Sequence, residues 1–286
     1  MSERGGGRST DRFEKKREAI LDAATLILNR EGVKGLTLGV AAAGVGLSTT
    51  SVTYYFKRKD DLAAACLMRG IAWLNAAADE ALKAPTPPER LHLLLSLHLE
   101  RLRKAATGEG PAMPSLADIR ALNNPWRGEV TEAFMKLFRK VRSLFDAPDM
   151  AWLGRGRRTA RTHMLLEQLF WAGAWLPKYD PEDYPRIRDR MFDILVGGFA
   201  IEGAEWAPAP APLAELAAHD GTESGRETFL LAATRLINAR GYKGASVDKI
   251  SAALNVTKGS FYHHHDAKDE LVVACFDRTF EVMRRV

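Results

Sequence analysis

The sequence predicts an all-α protein in which one helical block is written twice. Two observations carry this. First, apolar residues recur at helical spacing along the chain, and alternation at period two is absent. Second, the block DAATLILNREGVKGLTLGVAAAGVGLSTTSVTYYFKRKDDLAAAC, ending at Cys66, returns as LAATRLINARGYKGASVDKISAALNVTKGSFYHHHDAKDELVVAC, ending at Cys275. Gly32 pairs with Gly241, Gly35 with Gly244 and Cys66 with Cys275, each 209 positions apart (241 minus 32), without a gap. Self-similarity of this kind is an architectural signal before any motif is considered.

A chain of 286 residues has room for one large domain or two ordinary ones. Its apolar fraction of 46% and charged fraction of 27% are those of an ordinary globular protein. No apolar run approaches the ~18 residues of a membrane span. The opening MSERGGGRSTDRFEKKRE carries no apolar stretch of a secretory signal. Both imply the cytoplasm and no membrane partner. The two cysteines, at equivalent places in the two copies, fit reduced, packed thiols. The net charge of +5 suits an anionic partner, as it also suits many proteins that bind none.

In chain order, residues 1–10 read as a disordered tail rich in Gly, Ser and Arg. A helix over 11–30 places Phe13, Ile20, Ala24, Ile27 and Leu28 near one face, and Gly32 and Gly35 punctuate its end. A short helix over 38–43, a turn at 44–47 and a helix over 49–55 follow. Ser48 suits the N-cap of the last of these, because its hydroxyl can accept an otherwise unpaired amide of the first turn. A helix from 59 to 83 ends at the cluster Pro85, Pro87 and Pro88. Beyond it, helical patterns cover 89–106, 114–122, 125–145, 150–176 and 181–202. The segment from Trp206, WAPAPAPLAELAAHDGTESG, reads as a semi-extended linker. The domain expectation is a first head at 11–58, a helical middle domain at 59–205, a linker at 206–223 and a second head at 224–286.

Each copy has the layout of a helix-turn-helix, whose last helix must put its N-terminal half into the DNA major groove. Thr49, Thr50, Ser51, Thr53 and Tyr54 are short or flat hydrogen-bonding side chains at that helix start. Threonine hydroxyls can bond base edges or phosphates, and their methyls can touch thymine methyls. Tyr54 and Tyr55 can bond phosphates. Lys57, Arg58 and Lys59 follow at the next helix start, where backbone amides and cations both favour phosphate. Val52 and Phe56, four apart, face the core.

The unit LSTTSVTYYFKRKDDL, with its counterpart VTKGSFYHHHDAKDEL, resembles the DNA-binding signature of the TetR family of bacterial regulators. The resemblance covers about 17–66 and 226–275 closely and the middle region only in general character. It assigns Thr49 and Thr50 to bases, joined by Tyr54, and Ser51, Thr53, Tyr55 and Lys59 to phosphates. In the second head it assigns Lys258, Gly259 and His263 to bases, and Ser260, Tyr262, His264 and Lys268 to phosphates. Departures are visible. Thr53 stands where the family usually has a tyrosine, and Ala41 where a core Ile is usual. Gly39, Gly44 and Gly46 cost helix stability and imply a loose first head. In the second head Ile250 fills the usual core place, but His265 replaces a Phe and Asp266 a Lys.

The run His263, His264 and His265 does not read as a metal site. Consecutive helical residues point ~100° apart, and no second Cys/His cluster supplies further ligands. No cofactor motif, phosphate-cradling glycine loop or nucleophile elbow occurs, and the reading is of a protein that is not an enzyme. His92 and His98 read as isolated histidines, solvated or hydrogen-bonded. In the TetR family the middle region binds a ligand and dimerises through its last two helices, which here correspond to 155–176 and 181–202. Gly173, Ala174, Gly197 and Gly198 would permit close helix approach. An apolar effector pocket is expected among Phe134, Phe138, Met164, Gln168 and Trp171, with Gln168 or His163 as polar anchor.

The function these readings imply is sequence-specific transcriptional control of a pseudo-palindromic double-stranded DNA operator by a homodimer. Its expected form is repression relieved by a small hydrophobic or aromatic effector. The alternative is a DNA-binding dimer whose middle region is a scaffold without effector.

Overall fold

A computed structural model describes residues 6–198, 203, 205, 207, 224–257, 259 and 268–285. The chain divides into two compact units, Met1–Ala200 and Ile201–Val286. Among the described residues all regular structure is helical.

In the first unit, α1 (Gly6–Gly35) buries Ile20, Leu21, Ala24, Ile27 and Leu28 on the face its sequence marks as apolar. It begins five residues before the expected start. Extending a formed helix adds one hydrogen bond per residue fixed, so the polar run before Asp11 can join it without nucleating anew. The helix breaks at Gly32, whose φ of 66° lies in the left-handed region. A side chain is also excluded there by space, since a Cβ would stand 2.4 Å from the Asp118 carboxylate.

Helix α2 (Leu38–Gly44) starts at Thr37, whose hydroxyl accepts the Val40 amide at 3.1 Å. Of the glycines expected to loosen this head, Gly44 has a packing role. A Cβ on Gly44 would lie 3.2 Å from that of Ala23, so the bare backbone lets α2 approach α1 closely. Ala41 is fully buried in the seam. Helix α3 (Thr49–Tyr55) has the bounds the sequence predicts. Ser48 caps it by accepting the Ser51 amide at 3.2 Å, and Val52 and Phe56 face inward.

Helix α4 (Lys59–Ala81) is the axis of the unit. It packs against α1, α5 (Pro87–Ala106) and α6 (Trp126–Ser143) and buries Leu62, Leu67, Ile71 and Leu74. The prolines expected to end the preceding helix start α5, with Pro87 at its first position and a reciprocal cap between Thr86 and Glu89. The segment 114–122, expected as a helix, is extended and then a 3₁₀ turn (Leu116–Ala121). It is tied to α1 by tertiary hydrogen bonds described below and packs Pro114 on α4, and these contacts outweigh its local pattern. Helix α7 (Arg155–Trp175) packs on α6, and α8 (Tyr184–Gly197) on α5. Helix α8 is capped at Gly198, φ 77°, and 199–202 of the expected helix lie outside the described residues.

The second unit contains α9 (Ser224–Gly244), α10 (Val247–Ala253) and α11 (Lys268–Arg285). These reproduce α1, α2 and α4 in order, at the repeat offset. Gly241 breaks α9 at φ 70° as Gly32 breaks α1. Cys66 donates its thiol to the Leu21 carbonyl at 3.7 Å, and Cys275 to the Leu230 carbonyl at 3.5 Å. Arg69 pairs with Glu18 at 2.9 Å, and Arg278 with Glu227 at 2.5 Å. Burial pushes the Cys66 thiol up to about 11 and the Cys275 thiol in the same direction, so both are packed, protonated groups. The linker expected over 206–223, Ala207 apart, lies outside the described residues.

Candidate nucleic-acid interface

The Ser48 cap fixes which face of α3 is free. Thr49 and Thr50 are exposed at its first turn, and Tyr54, one turn on, is 68% exposed. The three share the solvent face at the helix start, as a groove-reading surface requires. Ser51 is half-buried and its hydroxyl shares a 2.9 Å hydrogen bond with that of Ser48. Thr53 donates its hydroxyl back to the Thr49 carbonyl at 2.9 Å. Its one donor is therefore engaged within the helix, and in this rotamer Thr53 has no proton to offer a phosphate.

Tyr54 and Tyr55 are held by a residue the motif alone does not point to. Phe13 of α1 packs on Tyr55 at 4.7 Å and edge-on to Tyr54 at 5.9 Å between ring centroids, and the two tyrosines meet at 5.3 Å. This cluster ties the start of α1 to the exposed end of α3. Arg12 and Lys16, exposed on either side of Phe13, thereby join the cationic surface. The run DRFEKKRE is their sequence signal, but only the Phe13 contact says which end of α3 it serves.

Lys57, Arg58 and Lys59 are exposed at the start of α4. The acidic pair behind them, Asp60 and Asp61, would oppose a phosphate if it shared their face. Instead Asp60 accepts from the Asn123 amide at 3.0 Å and Asp61 from the Trp126 indole at 3.0 Å. Asp61 also accepts the Arg58 backbone amide at 2.9 Å, capping α4. The carboxylates thus bond the body, and of the three exposed cations Arg58 also lies 3.8 Å from Asp61.

The second copy differs where it is described. Lys268, the counterpart of Lys59, is half-buried, donates to the Tyr242 carbonyl at 2.5 Å and lies 3.9 Å from the Tyr242 ring centroid. Gly259 is helical and exposed. Lys258, Ser260, Tyr262, His263 and His264 lie outside the described residues, as do His265 and Asp266. Among the described residues no group of His, Cys, Asp and Glu could hold a metal ion.

The residues expected to line an effector pocket are not brought around one interior space. Phe138 is buried and meets the His163 ring at 4.6 Å, and Phe134 meets Phe170 at 6.0 Å. Met164 and Trp171, however, are 58% and 63% exposed, His163 is exposed and Gln168 is half-buried. The reason is rotational. Helix α7 turns Leu165, Leu166, Leu169 and Ala172 inward, so positions 164 and 171, a heptad apart, fall on the outer face. Cβ atoms built on Gly173 and Gly197 would also meet only open space. A half-open cavity of about 360 Å³ lies elsewhere, between Arg69, Trp73, Arg101 and the segment Pro111–Pro114.

Comparison with known proteins agrees with this architecture. Residues 229–275 match the profile of the family described as bacterial regulatory proteins, tetR family. The transposon Tn10 TetC protein of Escherichia coli is 39% identical over 54 residues, a match spanning 27% of that protein and 19% of this chain. A TetR-family transcriptional regulator from Bordetella parapertussis 12822 superposes with a TM-score of 0.54 at 20% identity, covering 65% of this chain and 96% of that one. The structure of AibR in complex with isovaleryl coenzyme A and operator DNA superposes with a TM-score of 0.50 at 16% identity, covering 64% and 99%. The fold is therefore the all-α fold of TetR-type regulators. No described helix is long and apolar enough to cross a membrane.

Proposed function

We propose that this chain is a TetR-type transcriptional regulator, a homodimer that represses by binding a pseudo-palindromic operator and is released by a small effector. Residues 11–58 are the principal reading head, 59–205 the effector and dimerisation domain, and 224–286 a second head. The observation that carries this reading is the first turn of α3. A serine-capped helix presents Thr49, Thr50 and Tyr54 to solvent, flanked by the exposed cations Lys57, Arg58 and Lys59. The match of 229–275 to the tetR family supports the second head, because that segment is the gap-free copy of the first. The outward apolar residues Met164 and Trp171 on α7 and Val196 on α8 support a twofold seam through these helices. AibR, with the same fold, accommodates both an acyl coenzyme A and operator DNA, which supports an effector-responsive body here.

The test is selection of a binding sequence from random duplexes by the full chain, followed by titration with two variants. Thr50→Ala is expected to relax preference at the base pair it faces. Lys59→Ala is expected to weaken all sequences alike and to lower the salt dependence by about one unit. Unchanged affinity and salt slope in Lys59→Ala would remove the assignment of this face.

A further inference from the structure

The cavity between α1, α4, α5 and the segment Pro111–Pro114 contains a charge that the fold leaves unanswered. Arg69 and Arg101 both line it. Arg69 is fully engaged, donating to Glu18 at 2.9 Å, Asp22 at 2.7 Å and the Thr25 hydroxyl at 3.2 Å. Glu18, the carboxylate on the rim, is thereby neutralised. Arg101 has no such partner. Among the described residues no carboxylate lies within ion-pair distance of it, and its Nε is buried without a hydrogen bond. Its guanidinium lies over the Trp73 ring, 5.5 Å from the centroid. Burial and the neighbouring Arg69 charge push its pKa down, with Asp22 acting against them, so an anion bound beside it would favour the charged form. The remaining wall is apolar, from Pro111, Ala112, Met113 and Pro114. One unpaired guanidinium, one indole face and an apolar wall around about 360 Å³ suit a planar organic monoanion, not a polyphosphate or a neutral lipid.

The apolar wall is also the strap that joins body to head. The Met113 carbonyl accepts from the Asn29 amide at 2.8 Å, and the Ser115 amide donates to the Asn29 side chain at 2.8 Å. Asp118 accepts the Val33 amide at 2.8 Å beside the Gly32 break. Pro114 lies so close to Gly70 of α4 that a Cβ there would stand 2.5 Å from it. A ligand seated against this strap therefore touches the segment that holds the C-terminal end of α1 and, through Asn123 and Trp126, the start of α4.

We infer that the Arg101–Trp73 cavity is the effector site, and that it takes a planar aromatic carboxylate which binds Arg101 through its carboxylate and lies against Trp73 and the Pro111–Pro114 strap. This rests on the reading of the chain as an effector-controlled DNA-binding protein. It places the site at the seam between head and body rather than among the residues of α6 and α7. Effector and DNA are then coupled because the strap has different contacts in the two states.

The experiment uses the full chain, with benzoate, salicylate, cinnamate and indole-3-acetate as probes and benzamide as the uncharged control. Thermal melting and tryptophan fluorescence are followed in wild type, Arg101→Gln and Trp73→Phe. At least one carboxylate is expected to raise the melting temperature of wild type saturably, with benzamide inert. Arg101→Gln should weaken that binding roughly ten- to a hundred-fold. Trp73→Phe should keep the melting shift while losing the fluorescence change, which places the ligand on that ring. The inference is overturned if no carboxylate stabilises wild type, if Arg101→Gln is stabilised equally, or if benzamide does as well as benzoate. Binding of selected DNA without any carboxylate is measured in parallel. If DNA is bound but Arg101→Gln makes no difference to the probes, this site falls and the regulator stands; if no DNA is bound, the regulator reading itself falls.

Discussion

At the residue scale, His98 makes the acid limit of the fold calculable. It is 3% exposed, and its Nε2 donates to the Leu169 carbonyl at 2.9 Å, while Nδ1 is buried without a partner. Burial pulls its pKa down to about 4, from an ordinary value of 6.5. The folded chain thus keeps the ring neutral where the unfolded chain already protonates it. The contribution to stability is complete above pH 6.5 and is lost as pH falls toward 4, a change of about 3 kcal/mol. Urea unfolding between pH 7.5 and 4.5 is expected to show this slope, and His98→Gln, which can still donate to Leu169, to flatten it. An identical slope in both proteins would mean that the ring does not titrate as its burial requires. The sequence shows His98 only as an isolated histidine among apolar residues. Its role depends on α7, 71 residues away, and no local pattern carries that.

At the element scale, the two copies show what a repeated sequence does and does not determine. Helix α3 is legible to its exact bounds, because a serine cap before it and a non-helical Phe56 after it are local signals. The Gly32 break, the cysteine contacts and the arginine–glutamate pair recur at the same spacing, so these too are written in the repeated block. The 3₁₀ strap over Leu116–Ala121 is not legible, since it owes its shape to contacts with Asn29 and the Val33 amide, more than eighty residues away. Nor is the Arg101–Trp73 cavity, whose walls come from four separate stretches of sequence. The outward turn of Met164 and Trp171 follows from which face of α7 meets α6, and composition cannot give that phase.

The same comparison separates buried from uncovered faces. Leu67, Ile71 and Leu74 of α4 are buried by neighbouring helices, while their counterparts Phe276, Phe280 and Met283 of α11 lie more than half exposed. The positions are equivalent, but their surroundings are not. Leu67→Ala removes side-chain volume from a sealed core and is expected to cost about 2–5 kcal/mol. Phe276→Ala removes a larger side chain from an open face and is expected to change stability by no more than about 0.5 kcal/mol. Chemical denaturation of the two variants checks the contrast, and equal losses would mean that the α11 face is covered in solution.

At the scale of the whole molecule, the decisive fact is that two separate cores lie on one chain. The first runs continuously from Ile20 to Met191, so the first head and the body behind it share one apolar interior. The second, among the described residues, consists of Phe229, Leu230, Ala233, Ile250, Leu271 and Cys275 with a few half-buried neighbours. A unit of 86 residues (201–286) with so small a described core is marginal on its own, whereas the first unit is large enough to be cooperative. Calorimetry of the full chain is therefore expected to show two transitions, the lower one from the second unit. A chain ended after residue 206 should lose only that lower transition, keep the dimer and keep the salt-dependent affinity carried by Lys59. Footprints on selected DNA should then shorten if the second copy is a reader, because the α3 contacts survive and only the further contacts are lost. An unchanged footprint with an unchanged melting profile would leave the second unit no part in reading DNA or in stability. Loss of the dimer on truncation would count against the proposed twofold seam at α7 and α8, which rests on the outward Met164, Trp171 and Val196.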